Sequence, residues 1–384
     1  MCIFLYLQII MLFLVFFVKG KTAAVQNWSI LLTLISWGLL FGLRAYDVGN
    51  DTDMYFRFYT GQDVLGLGTY KFSSETTEYG FTFIANILHR ISDDPTFFFL
   101  FSAVAAFLSV YQFYKDKENG MWGLLCFFIM SASFASFIIA MRQSISITII
   151  FFGLYFILKS GWLLRKSNKN EPSEHKIQKK YLYIGLILCI LSISIHRTTI
   201  ILLPLLLLCN YIKWNKKAAI AVISLVFVLS ISFSSVAGDV FDIALSFVGG
   251  LSEDNVNLLA ERYKGNFGSS SMTLLKVSSW CMPLLVTVLN SQESTLKSFQ
   301  FSCLMMGFVL YILFGSATMC IRISMMFQII GFSVFIPEAV NKNKNLRLLY
   351  LSFTALYFYS AYQTYIRWIA NFDDSTLPFY FIWE

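Results

Sequence analysis

Charge, proline and histidine are all scarce in this chain. Asp, Glu, Lys and Arg make up only 13% of its 384 residues, and there are 6 prolines and 3 histidines. Soluble domains carry about a quarter charged residues, so a soluble globule is excluded. Basic residues exceed acidic ones by a formal +7, but no basic run is interleaved with polar recognition surface, which excludes nucleic-acid binding. The 7 cysteines all lie inside apolar runs, with no C-x-x-C pair and no neighbouring histidine. That pattern excludes a disulfide framework and a zinc ribbon, and leaves them as small buried hydrophobes. The first apolar run, 2–18, lacks a basic leader and an A-x-A site. Lys19-Gly20-Lys21 follows it, so an uncleaved span is expected there. There is no internal repeat and no separate soluble domain.

What the chain has in excess is apolar length. Hydrophobic residues are 57% of it, aromatics 18%, and the mean hydropathy is +0.66. Runs long enough to cross about 30 Å of hydrocarbon as helices lie near 2–18, 27–43, 96–114, 120–140, 144–159, 181–195, 198–212, 218–237, 273–290, 299–316, 319–337 and 346–364. The expected fold is therefore all-α, a polytopic integral membrane protein with about 12 transmembrane helices. The short run Tyr79–Ile91 sets Phe81, Ile84, Ile87 and Leu88 on one face and ends in His89-Arg90. It is expected to be an interfacial or half-inserted helix outside the count.

The positive-inside rule supports this parity. One side then collects Lys19, Lys21, Lys115, Lys117, the basic residues of 159–180, Lys213, Lys216, Lys217, Lys297, Lys342, Lys344 and Arg347. The other side carries most of the acids and a minority of arginines. Two long external loops result, 44–95 and 238–272, opposite a basic cytoplasmic loop at 159–180 beside anionic lipid. The second external loop has the makings of an amphipathic helix between Leu251 and Lys264.

Ionisable residues flanked by apolar sequence at membrane depth are functional candidates by default. Arg142-Gln143 opens one apolar run, His196-Arg197 closes another, Arg322 stands inside a third, and Arg367 follows the last. An arginine so placed faces a cavity, snorkels, or pairs with an anion. Several at one face suit a lipid diphosphate, because guanidinium binds phosphate oxygens in bidentate geometry. The first external loop holds Arg44, Asp47, Asp51, Asp53, Tyr55, Arg57 and Glu78. Carboxylates there can serve as bases or grip sugar hydroxyls, while Tyr46, Tyr55, Tyr59 and Tyr70 offer flat faces to sugar rings. The same loop also reads as a solvated acidic turn, and Asp51-Thr52-Asp53 as a minimal D-x-D metal site.

The ordered set resembles the EpsG branch of the Wzy-type polysaccharide polymerases. The likeness rests on R-x-x-x-x-G-x-D-x-x-x-Y (Arg44, Gly49, Asp51, Tyr55), E-x-G-F (Glu78, Gly80, Phe81) and Arg142-Gln143 opening a span. It rests also on His196 before an apolar helix with Pro204, and on Arg322 in a helix running to Pro337. Arg197 stands where a smaller residue is expected, and Phe327 where a tyrosine is common.

The resemblance implies one membrane-embedded polymerase domain over 1–384 in the bacterial cytoplasmic (inner) membrane, with its active site facing outward. It implies a glycosyltransferase that moves a growing glycan from undecaprenyl diphosphate onto a lipid-linked oligosaccharide repeat unit, in exopolysaccharide, capsule or O-antigen synthesis. The implied partners are that lipid-linked oligosaccharide, membrane lipid, and chain-length regulator and flippase proteins, with no cofactor or metal. Arg142 and Arg322 are assigned to the diphosphate with Arg44 in support, and His196 or Asp51 to the base. Asp47, Tyr55, Glu78, Gln143, Arg197 and Arg367 are assigned to substrate binding. A metal-dependent polyprenyl-phosphate-sugar transferase using Asp51 and Asp53, and a lipid-linked sugar flippase, stand as alternatives.

Overall fold

The computed structural model describes residues 10–11, 13–18, 20–45, 52–61, 78–117, 120–130, 140–161, 178–196, 199–232, 274–314 and 318–334. Among the described residues there is no strand. The helices are α1 Ala23–Gly42, α2 Thr52–Thr60, α3 Tyr79–Ile91, α4 Pro95–Tyr114, α5 Gly120–Met130, α6 Met141–Lys159 and α7 Lys179–Ile195. They continue with α8 Thr199–Tyr211, α9 Lys216–Ser232, α10 Leu274–Asn290, α11 Glu293–Leu296, α12 Phe299–Phe314 and α13 Thr318–Gly331, which runs into a 3-10 turn at Phe332–Val334. α1, α4 and α6 are each long and apolar enough to cross a membrane. The expected span at 346–364 and the loop 238–272 lie outside the described residues.

Large apolar side chains stand exposed along these helices, among them Trp28, Leu32, Phe101, Ile187, Ile190 and Val228. An all-α protein that leaves such rows uncovered is solvated by lipid, since soluble monomers expose only limited apolar patches. α3 matches the expected bounds, and both its faces are apolar. Phe81, Ala85 and Leu88 are buried while Tyr79, Phe83, Ile87 and Ile91 are exposed.

The chain divides into two compact units. One comprises Met1–Met121, Ala135–Leu207 and Trp368–Glu384, and the other Trp122–Phe134 and Leu208–Arg367. In the second, Trp280 packs between Tyr311 and Phe332, with ring centroids 5.2 and 5.7 Å away. Lys213 donates to the Lys297 carbonyl at 3.1 Å and Lys216 to the Leu289 carbonyl at 2.9 Å. These ammoniums satisfy carbonyls left over where helices end.

The first unit is built around an antiparallel pair, α6 and α7. The backbone N–H of Gln178 donates to the Ser160 carbonyl at one end. Near the other end Ser146 Oγ donates to the Ser192 carbonyl at 2.9 Å and meets Thr199 Oγ1 at 2.6 Å. Between these ties the helices touch through glycine. A Cβ on Gly185 would lie 2.7 Å from the Gly153 carbonyl oxygen and 2.6 Å from Ile157, so small residues let the backbones approach as membrane helices require. Replacing Gly185 with alanine is expected to lower stability by ~1–3 kcal/mol through overpacking. Thermal unfolding in detergent measures this, and an unchanged midpoint would mean that the pair does not pack so closely. The register of α6 on α7 brings the start of one helix and the end of the other to the same end of the unit, and those termini carry Arg142 and His196.

Candidate active site

α6 begins at Met141, three residues ahead of the expected run, so Arg142 and Gln143 occupy its first turn. Both are good helix formers, and nothing in their backbone preference stops the helix from including them. His196 caps the C-terminus of α7 in an extended conformation, with φ −154°. Glu78 precedes α3 and reaches both. Its Oε2 accepts from Arg142 Nη1 at 3.0 Å, and its Oε1 lies 3.3 Å from His196 Nδ1. The three side chains are 25% (Arg142), 13% (Glu78) and 19% (His196) exposed, sheltered yet open to a ligand.

Burial alone would raise the Glu78 carboxyl. The His196 hydrogen bond and the Arg142 charge outweigh it and bring the pKa down to about 2. Glu78 is therefore a carboxylate at neutral pH, able only to accept hydrogen bonds. Its partner nitrogen on His196 must then carry the proton, which leaves Nε2 of the neutral ring with a free lone pair.

The floor of this cluster is aromatic. Tyr55, Phe56 and Tyr59 of α2 pack with Phe81, Ala85 and Leu88 of α3, Phe98 and Phe99 of α4, Met141 and Ile145 of α6, and Ile195 of α7. Tyr59 stacks on Phe98 at 4.8 Å and donates to the Ser92 carbonyl at 2.6 Å. The Tyr55 ring leans on Phe81 at 5.8 Å, and its hydroxyl accepts from the backbone N–H of Arg142 at 3.5 Å. The rings of Tyr55 and Tyr59 are thus buried within this core cluster. Tyr46 and Tyr70 lie outside the described residues.

Arg44 is almost fully enclosed, 2% exposed, just beyond α1. Its Nε donates to Thr52 Oγ1 at 3.3 Å, its Nη1 to the Phe41 carbonyl at 2.5 Å, and its guanidinium lies 5.1 Å from the Phe99 ring centroid. Burial pulls its pKa down to about 10, so it remains a cation at neutral pH, with no carboxylate partner among the described residues. Its Nη2 has no hydrogen-bond partner there either, and the same holds for Arg142 Nε, Gln143 Oε1 and Ser144 Oγ. Unpaired polar atoms at this depth are costly unless a ligand or water meets them. Ser144 is a member that the sequence reading missed. Its signal was the polar triplet Arg142-Gln143-Ser144 at the head of an apolar helix.

Asp53 is spent otherwise. It forms an i,i+4 ion pair with Arg57, whose Nε donates at 2.7 Å, and among the described residues no three metal-ligating groups come together. Asp47, Asp51, Arg197 and Arg367 lie outside the described residues. Arg322 falls in α13, in the second unit, and its side chain is likewise outside them.

With that geometry in view, comparison with known proteins adds one match. The sequence model of the EpsG family covers residues 27–164 and 173–380. The chain belongs to the EpsG family. Membership makes it a membrane protein of polysaccharide-polymerase-like function, and the match runs through every element of the cluster just described. Its one interruption falls within the basic 159–180 loop. No curated protein and no solved structure matches this EpsG-family chain.

Proposed function

We propose that this EpsG-family protein is a polysaccharide polymerase of the bacterial cytoplasmic membrane that works on its outer side. It transfers a growing glycan from undecaprenyl diphosphate to a hydroxyl of an incoming lipid-linked repeat unit, in the synthesis of an exopolysaccharide, capsule or O-antigen. The observation that carries this reading is the Glu78 carboxylate bridging Arg142 and His196.

The reaction needs a base for the acceptor hydroxyl and positive charge for the departing diphosphate. His196 supplies the base: Nε2 takes the hydroxyl proton as the acceptor oxygen bonds to the anomeric carbon. The bond from that carbon to the diphosphate oxygen breaks with its electron pair, and the diphosphate leaves as an anion. Glu78 orients the ring and stabilises the imidazolium that forms. Arg142 faces the leaving group from the N-terminus of α6, where Ala140 provides no side-chain cap and the helix dipole favours an anion. Because Glu78 already neutralises part of the Arg142 charge, further cations are needed. Within this unit Arg44, a buried cation whose Nη2 has no partner among the described residues, fills that role.

Pairing of Asp53 with Arg57 counts against the metal-dependent transferase, which would need that carboxylate. The test is an assay of purified protein with a lipid-linked repeat unit. Arg142→Ala is expected to abolish long chains and leave single units on lipid, and the wild type is expected to work in a chelator. Long chains from Arg142→Ala, or loss of wild-type activity on chelation, would overturn the assignment.

A further inference from the structure

The end of the first unit opposite the candidate site holds a second cluster that the reaction does not use. Lys159 closes α6, 17 residues after Arg142, which along a helix is about 26 Å away. The ends of α4 and α6 and the start of α7 meet there around two tyrosines. The Lys115 ammonium lies 5.5 Å from the Tyr155 ring centroid and the Lys159 ammonium 5.8 Å from the same ring. Lys159 also lies 4.6 Å from the Tyr181 ring, which stacks on Phe156.

Two cations sharing one aromatic ring repel each other unless an anion joins them, and neither has a carboxylate partner among the described residues. The nearest acid in sequence, Asp116, is already engaged. Its Oδ1 accepts from Asn27 Nδ2 at 2.7 Å, and its backbone N–H donates back to Asn27 Oδ1 at 2.8 Å. Lys179 and Lys180 stand exposed at the start of α7 and add to the positive field.

Apolar side chains continue from this cluster along the same two helices. Phe152 on α6 and Tyr183, Leu186, Ile187 and Ile190 on α7 are all exposed. A cationic, aromatic-lined head above a strip of exposed hydrocarbon matches an amphiphile with a negative headgroup, and basic pockets between membrane helices take such headgroups. A free phosphate would use the head and leave the strip uncovered.

We infer that Lys115, Lys159, Tyr155 and Tyr181 form a binding site for the headgroup phosphate of an anionic membrane phospholipid, whose acyl chains lie along α6 and α7. The cation–ring contacts pre-position both ammoniums, so the phosphate meets charges already held in place. The site is independent of the polymerase reading.

Native mass spectrometry of the full-length protein in detergent, titrated with phosphatidylglycerol or phosphatidylcholine, tests it. Phosphatidylglycerol is expected to be retained in preference, at one saturable site. Lys115→Gln with Lys159→Gln is expected to weaken that binding about 30-fold. Lys217→Gln removes an exposed charge from the second unit and is expected to change it less than about 3-fold. All three lysines are at least partly exposed, so folding is not at stake. Equal losses in the two variants would mean that attraction is spread over the basic surface and that no site exists. Displacement of phosphatidylglycerol by millimolar inorganic phosphate would identify a free-anion site and overturn the lipid assignment.

Discussion

Glu78→Gln is expected to lower polymer formation by about 10²–10⁴-fold, the range spanned by loss of positioned acid–base chemistry. The substitution keeps the shape of the side chain and removes only its charge and one acceptor. The wild-type carboxylate accepts from Arg142 Nη1 at 3.0 Å and from His196 Nδ1 at 3.3 Å. A carboxamide has one acceptor oxygen and one NH₂ donor. If its oxygen serves Arg142, its NH₂ faces His196 and demands an acceptor, which drives the ring proton to Nε2, where the base's lone pair is needed. If it serves His196, the NH₂ confronts a guanidinium that can only donate. Either rotamer spoils one half of the site.

The same variant has a pH signature in stability. The folded-state pKa of Glu78, about 2, lies below its ordinary 4.5. A depressed carboxylate stabilises the fold fully above the ordinary value and loses that contribution as pH falls through the folded one. Glu78→Gln is therefore expected to be less stable than wild type at pH 7, with the gap closing between about pH 4.5 and pH 2. Acid unfolding in detergent, followed by tryptophan fluorescence, measures the gap. A constant difference at all pH values would show that Glu78 carries no paired charge.

Arg142 and His196 were legible in the sequence because each is a polar intrusion into apolar length, and lipid gives such residues few places to go. Their union through Glu78 was not, since 64 residues separate Glu78 from Arg142 and 118 separate it from His196. Only the register of α6 on α7 and the seating of α3 close those gaps, and both depend on packing that no single run displays. α2 was obscured for a different reason. Its nine residues lie in a polar loop beside Gly49-Asn50, and the Asp51-Thr52-Asp53 spacing drew attention to metal chemistry. The overlooked signal was Tyr55, Phe56 and Tyr59, which an α-helix places on one side. Asp53 and Arg57, also four apart, pair along that helix, which explains why one half of the D-x-D motif is a structural ion pair.

Gly80→Ala carries the second large expected effect, because it moves Glu78 without touching it. Gly80 lies in the first turn of α3, two residues after Glu78, and rests on Ser194 in the last turn of α7, two residues before His196. A Cβ built on Gly80 would stand 2.8 Å from both the carbonyl carbon and the carbonyl oxygen of Ser194. Those are backbone atoms of a helix packed against α6 and cannot swing aside, so α3 must move away from α7. The Glu78–His196 hydrogen bond, at 3.3 Å, is near the long limit already and will not survive a further shift. Polymer formation is expected to fall about 100-fold, the scale associated with a displacement near 1 Å. Ser194→Ala is expected to leave activity near wild type, because the Ser194 hydroxyl donates within its own helix to the Leu191 carbonyl. Nitrogen-15 spectra of protein labelled only at its 3 histidines separate positioning from bulk destabilisation. Wild type should show His196 protonated at Nδ1, and Gly80→Ala should shift that proton toward Nε2. A variant that loses thermal stability but keeps the wild-type tautomer and rate would show that Gly80 only supports the fold and does not set the distance between Glu78 and His196.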